Sequence, residues 1–198
     1  GRSLPQRIVY ISTSGVYGDC KGERIDETHR LRPATARACR RVDAEQQLRA
    51  FGRRGVVVSI LRAPGIYAAD RLPIERLQKG TPALCDADDV YTNHIHAEDL
   101  AMLTCAALRR GRCNRAYNAA DDSEIKMGEY FDLVADYLGL PRSPRLSRRE
   151  AEQRLSPLQL SFMTESRRLR NERVKKELRA RLRYPRVADG VAAAAGKG

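Results

Sequence analysis

Residues 55–67 read GVVVSILRAPGIY. Gly55–Leu61 is a glycine-headed run that is apolar at nearly every position. A run with so little polar alternation predicts a strand buried on both faces, as in a parallel sheet covered by helices on each side. The turn-rich RAPGIYAADRLP follows it and marks the carboxyl end of that strand, where open parallel sheets bind their ligands. Upstream, Arg7–Ser12 (RIVYIS) is rich in Ile, Val and Tyr and reads as a second buried strand, running into STSGVYG. Between the two lie a polar loop, Asp19–Pro33, and a helix predicted over Ala36–Phe51 that Gly52 and Gly55 close.

Downstream, the polar excursion QKGTPALCDADDVYTN leads into HAEDLAMLTCAALRRG. The latter has Glu98 and Asp99 in its first turn and Arg109 and Arg110 in its last, with Gly111 beyond. Both charge placements suit the helix dipole. RAYNAAD (Arg115–Asp121) reads as a short strand. Met127, Tyr130, Phe131, Val134 and Leu138 then recur at helical spacing, with Gly139 and Pro141 as the stop, a stripe that suits core packing. Strands alternating with helices predict an α/β domain with a parallel sheet. After Pro141 the chain is Arg-rich and reads as helical, without strands, in the manner of a cap.

A chain of 198 residues with 42% hydrophobic residues can bury a sizeable core. No apolar run reaches the ~20 residues of a membrane-spanning helix, and GRSLPQ lacks the apolar stretch of a signal peptide. The five cysteines are scattered without a CxxC pair, so they are expected to be reduced thiols in a cytoplasmic protein. The net charge is +12. Between Arg142 and Arg186 stand 15 Arg and Lys against 5 Glu, so most of the excess lies in that segment. Such a segment suits a solvated face, an acidic ligand or nucleic acid. No nucleic-acid motif accompanies it and aromatics are only 6%, which argues against the last.

Three features sit at predicted strand ends: STSGVYG, RAPGIY and AADD. The hydroxyls of Ser12, Thr13 and Ser14 can donate to a substrate oxygen there, or simply cap a turn. His94 and His96 alternate and would share one face of a strand. No third ligand has metal-site spacing, so no metal is predicted. The acidic groups Asp86, Asp88, Asp89 and Asp121, Asp122, Glu124 are explained by turns and solvation. Cys39 has no evident base to activate it.

YISTSGVYGD, Asp26–Glu27, AEQQL, LRAPGIYAADR, IHAEDLA and YNAADD occur in that order. Together they resemble an extended short-chain dehydrogenase/reductase of the NAD-dependent epimerase/dehydratase family. ESRRLRNERVKKELRARLRYP is similar to the tail of that family's atypical, YeeZ-like bacterial members. The resemblance implies the C-terminal part of a Rossmann-type sheet over residues 1–121, with a cap excursion near 72–93, and a small substrate region over 122–198. It implies NAD or NADP as cofactor and a small-molecule substrate, and it is compatible with a homo-oligomer. Thr13 falls where the family keeps its catalytic hydroxyl, three residues before the valine of VYG. Ser12, Thr13 and Pro64 are the implied cofactor contacts, and Ser14 and Arg71 the implied substrate contacts.

Three departures qualify that reading. The family's YxxxK motif, counted back from Glu45, falls on Ala38 and Val42, and neither side chain titrates. The tyrosine normally exchanges a proton with substrate, and the lysine lowers its pKa and holds the cofactor ribose. Thr92 replaces the arginine that grips a nucleotide-sugar diphosphate. No GxxGxxG or GxGxxG occurs in the chain, although this turn normally holds the pyrophosphate. The chain is therefore expected to be a fragment of a longer protein, or to have its sheet completed by a partner, and to bind dinucleotide poorly by itself. The expected function is that of an epimerase/dehydratase-like oxidoreductase without standard Tyr–Lys catalysis. The alternatives are a non-catalytic NAD(P)-sensing or scaffold protein on the same fold, and a nucleic-acid-binding protein acting through the basic segment.

Overall fold

A computed structural model describes residues 4–196. Its centre is a parallel sheet of three strands, β1 (Arg7–Thr13), β2 (Val57–Ala63) and β5 (Arg115–Asn118), in the order β1-β2-β5. The register runs from Arg7 opposite Val57 to Thr13 opposite Ala63, and from Ser59 opposite Arg115 to Arg62 opposite Asn118. Every residue of β2 after Val57 is buried, as the apolar run predicts for a central strand. Alternation then divides the strands between two cores. Val58 and Ile60, with Ile8, Tyr10 and Ala116, pack on Leu48 and Phe51 of helix α1 (Ala36–Gly52). Leu61, Ala63 and Tyr117 pack on Leu100, Leu103, Ala106 and Ala107 of α2 (Ala97–Arg110).

Beyond β2 the chain turns at Pro64 into β3 (Gly65–Tyr67), which pairs in parallel with β4 (His94–His96). Helices α3 (Met127–Leu138) and α4 (Val187–Ala195) pack beside this pair, and Tyr67, Tyr130, Phe131, Val134, Val187 and Val191 share one core. Gly139 ends α3 in the left-handed conformation at φ 64, the stop read from the sequence.

The C-terminal segment departs from the expected strand-free cap. Arg145–Leu146 pairs with Ala83–Leu84, and Arg168–Leu169 pairs with Arg24–Ile25, both in parallel. Val174, Leu178 and Ala180 enter the core beneath the sheet, alongside α2. Two-residue strands show no period in sequence, and their hydrogen-bonding needs are met only by loops far away in the chain. The basic residues of this segment reach acids on other elements: Arg145 to Asp132, Arg168 to Glu124, Lys175 to Asp122 and Arg183 to Glu98. No helix among the described residues is long and apolar enough to cross a membrane.

Candidate functional site

A cavity of about 460 Å³ opens at the carboxyl ends of β1 and β2. Thr13 and Ser14 contribute from the tip of β1, Pro64 and Gly65 from the end of β2, and Thr35, Arg37 and Ala38 from the start of α1. Tyr91, Thr92, Asn93 and Met127 close a second side. Ser161, Phe162, Glu165 and Arg167 close a third.

The first wall is local in origin. Thr13 is the cap of the 3₁₀ turn Ser14–Tyr17, and its hydroxyl accepts from the Gly15 amide at 3.2 Å. Its O–H is left to donate elsewhere. A Cβ placed on Gly15 would lie 3.6 Å from Thr13 Oγ1 and 4.0 Å from Ala38 Cβ. Thr13 and Ala38 therefore flank the same glycine. Thr35 caps α1 by accepting from Ala38 N at 3.1 Å.

The third wall is assembled across the whole chain. The Ser166 carbonyl accepts from Cys20 and Gly22, and the Ser166 amide donates to Asp19 at 2.9 Å. The side-chain amide of Asn93 donates to the Arg167 carbonyl at 2.9 Å while its oxygen accepts from Leu169 at 2.8 Å. Arg167 Nη1 donates to the Gly18 carbonyl at 2.7 Å and to Glu165 at 2.8 Å. Gly18 has φ 68, and a Cβ there would collide with the Arg32 carbonyl, so this turn requires glycine.

Several residues that carry the resemblance form a buried polar network behind the cavity. Arg62, 3% exposed, grips Glu45 with two bonds, 3.1 Å from Nε and 2.7 Å from Nη2. Its Nη1 donates to the Tyr17 hydroxyl at 2.9 Å, and that hydroxyl donates to Asn118 at 2.7 Å. Glu27 accepts from the Asn118 amide at 2.8 Å and pairs with Arg173 at 3.4 Å. Burial pushes Tyr17 up to about 12 even beside Arg62, so it stays a protonated donor. Burial also raises the Glu27 carboxyl, against the bonds from Asn118 and the charge of Arg173. Arg62 is held above its ordinary value: burial lowers it, and the hydrogen bonds and charges of Glu45 and Tyr17 together outweigh that. These groups tie the turn after β1 to α1, β2 and β5 and are not among the residues lining the cavity.

Of the predicted site residues, Thr13, Ser14 and Pro64 converge on the cavity, together with Ala38 and Thr92. Ser12 is buried, is not among the lining residues, and has a hydroxyl without a partner. Val42 packs toward Val16, Tyr17 and Ile25, in apolar surroundings. Arg71, expected at the substrate cleft, is exposed at the end of the turn Ala69–Arg71 and does not line the cavity. His94 and His96 are buried among Tyr67, Tyr130 and Tyr184, and burial pushes His94 down to about 3. No group of three His, Cys, Asp or Glu able to hold a metal occurs among the described residues. Asp88 and Asp89 accept backbone amides of Arg148 and Gly128, as anchors of their loop. Glu165 and Arg167 were not singled out from the sequence, where they stand in an Arg-rich run with no distinguishing mark.

A profile of the NAD dependent epimerase/dehydratase family matches residues 2–120. No match is found among curated proteins. Among solved structures, a functionally unknown conserved protein from Silicibacter pomeroyi is similar at 33% identity and a TM-score of 0.87, over 97% of this chain and 66% of that one. A dTDP-glucose 4,6-dehydratase from Streptomyces venezuelae, solved with NAD, shares the fold at 22% identity and a TM-score of 0.76, over 96% and 59%. A UDP-glucose 4-epimerase from Thermotoga maritima, solved with UDP-glucose, does so at 17% identity and a TM-score of 0.76, over 96% and 62%. This chain thus spans less than two thirds of the length of each of these structures. With a profile match over more than half its length and the Rossmann-type topology around the cavity, the chain belongs to the NAD dependent epimerase/dehydratase family.

Proposed function

We propose that this chain is the substrate-binding part of an NAD(P)-dependent oxidoreductase that acts on a small molecule without the usual tyrosine–lysine pair. The observation that carries the reading is the meeting of Thr13, Pro64 and Ala38 on one cavity at the strand ends. The residues present fit the nicotinamide end of the cofactor. Thr13 and Pro64 line the cavity, and the buried Ser12 hydroxyl beside Thr13 has no partner. The sequence holds no glycine-rich turn for the pyrophosphate. When bound, the cofactor would supply hydride transfer.

Thr13 orients the substrate by donating its O–H to a substrate oxygen, because its acceptor side already serves Gly15. Ala38 takes no part in proton transfer. The ionisable groups on the cavity are Arg37, Tyr91, Glu165 and Arg167, so any proton moved to or from substrate falls to Glu165 or Tyr91. Thr92 offers no bidentate grip on a diphosphate, which argues for a ligand other than a nucleotide sugar.

A second reading is a non-catalytic NAD(P)-sensing or scaffold protein, favoured by Ala38 and by the apolar setting of Val42. Nucleic-acid binding gains no support, because cations of the basic segment pair with acids of the same chain.

Fluorescence titration with NADH and NADPH tests the cofactor reading. The chain alone is expected to show no saturation in the micromolar range. Saturable micromolar binding that Thr13→Val leaves unchanged would overturn both the need for a glycine-rich cradle and the placement at Thr13.

A further inference from the structure

Asp121 stands at a junction of distant segments. Its amide donates to the His94 carbonyl of β4 at 2.8 Å, and its carbonyl accepts from the Asn171 side chain at 3.2 Å. Its Oδ1 accepts from the Ser123 amide at 2.9 Å. Ser123 Oγ in turn accepts from the Val187 amide at 2.8 Å, and the Asp122 amide donates to the Pro185 carbonyl at 2.7 Å. Asp99 of α2 accepts the amides of Arg183 and Tyr184 at 2.7 and 2.9 Å. The strap Arg183–Val187, which leads into α4, thus hangs on the acidic turn and on Asp99. α4 lays Val187 and Val191 against Tyr67, Tyr130 and Val134. Its Gly190 sits so close over Tyr67 that a Cβ there would collide with the hydroxyl.

The carboxyl at this junction is 3% exposed, and its Oδ2 has no partner. Acids act on it from its own turn, Asp122, and from α2, Asp99. Tyr67 of β3 feels its charge together with those of Asp99 and of Asp189 on α4. Burial keeps Tyr67 and Tyr130 of α3 protonated and His94 of β4 neutral. His96 packs on Tyr67 and Tyr184. Lys175 and Arg183 are engaged by Asp122 and Glu98, and Arg186 is exposed. A charge on Asp121 would therefore lie buried among like charges, which is costly unless water reaches it.

We propose that Asp121 is a pH-operated latch for α4. Neutral, it lets the turn hold the strap, and the helix stays seated on Tyr67 and Tyr130. Ionised, it is relieved when the strap and α4 lift and water enters the turn. α4 packs on α3, whose first residue, Met127, lines the cavity, so the latch acts on one wall of the site. The inference stands apart from the cofactor reading. Burial, with Asp122 and Asp99 and against the bonds from Ser123, raises Asp121 to about 7, and exposure returns it toward 3.8. The seated helix is thus fully favoured below the exposed value, and that advantage is lost as pH rises through 7. Between pH 5 and pH 8 the two values permit up to about an eightyfold rise in opening.

The test is native-state hydrogen exchange of the whole chain in low urea at pH 5 and pH 8, with rates corrected for intrinsic exchange. Amides of α4 are expected to lose roughly tenfold to eightyfold in protection at the higher pH. They should do so through an opening with little urea dependence, while amides of β2 keep the steep slope of global unfolding. Asp121→Asn is neutral at both pH values and is expected to show no such loss in α4. In the wild type, the Asp121 carboxyl carbon and the Val187 amide, followed by NMR, should share one midpoint between pH 5 and pH 8. That titration carries the test if Asp121→Asn does not fold. A carboxyl that does not titrate in this range, α4 amides with the urea slope of β2 at both pH values, or the same pH-dependent loss in Asp121→Asn would overturn the proposal.

Discussion

Replacing Glu45 by Ala should strand a charge inside the protein. Arg62 and Glu45 are 3% and 1% exposed, and two bonds of 3.1 and 2.7 Å join them. Removing one partner of a buried ion pair costs about 3–5 kcal/mol, because the other charge stays desolvated. Arg62 keeps two further acceptors, the Tyr17 hydroxyl at 2.9 Å and the Glu27 carbonyl at 3.3 Å. The expected loss for Glu45→Ala is therefore near the lower end, about 3 kcal/mol. The double variant Glu45→Leu/Arg62→Met fills the same space with apolar atoms and leaves no charge. It should lose only about 1 kcal/mol, mainly for the donor taken from Tyr17, which is roughly 2 kcal/mol less than Glu45→Ala. Urea unfolding followed by far-UV circular dichroism suits a chain without Trp. Midpoints should fall with little change in slope. Repeating the series in 1 M salt separates the alternatives, since screening weakens exposed pairs and spares buried ones. A Glu45→Ala loss below about 1 kcal/mol, or one that vanishes in salt, belongs to a surface pair and would refute the reasoning.

Two further outcomes follow from the same coordinates. Burial raises Asp121 from 3.8 to about 7, so between those pH values the folded chain keeps a proton that the unfolded chain has lost. Stability then falls as pH rises through that window and levels off above it. The change corresponds to roughly 4 kcal/mol, less about 1–3 for the unpartnered amide that Asn would bring. Asp121→Asn should thus unfold at a higher urea midpoint than wild type at pH 8 and show no advantage at pH 4; a constant difference between the two would count against it. Gly18→Ala forces a Cβ into the Arg32 carbonyl at a φ of 68. It should cost more than the ~1 kcal/mol of an ordinary left-handed alanine, read as a lowered thermal midpoint.

Much of the fold was legible because local and global preferences agree. The apolar run at Gly55–Leu61 is best explained by a strand buried on both faces, and β2 is buried at every position after Val57. The charge polarity and glycine of the helix after His96 match its ends, Ala97 and Arg110. At the site, Thr13, Ser14 and Pro64 could be placed because strand ends are local features. Arg167 and Glu165 could not be placed, since they reach the cavity through a two-residue pairing with Arg24–Ile25 that no periodicity marks. Arg62 carried a usable signal that went unread. A charge inside an otherwise apolar strand must find a buried partner, and Glu45 lies on the helix that covers that face.

The pairing of Arg168–Leu169 with Arg24–Ile25 also sets an order of events. Arg167 meets the Gly18 carbonyl across 149 residues of chain. Contacts this distant close late, because the loop between them must be ordered first. On the ribosome, β1, α1 and β2 can associate while the chain is still growing, but one wall of the cavity waits for Glu165 and Arg167 to emerge. The wall formed by Glu165 and Arg167 would therefore close after the sheet has formed, and a truncation just before Glu165 should lose that wall together with the core residues Val174, Leu178 and Ala180.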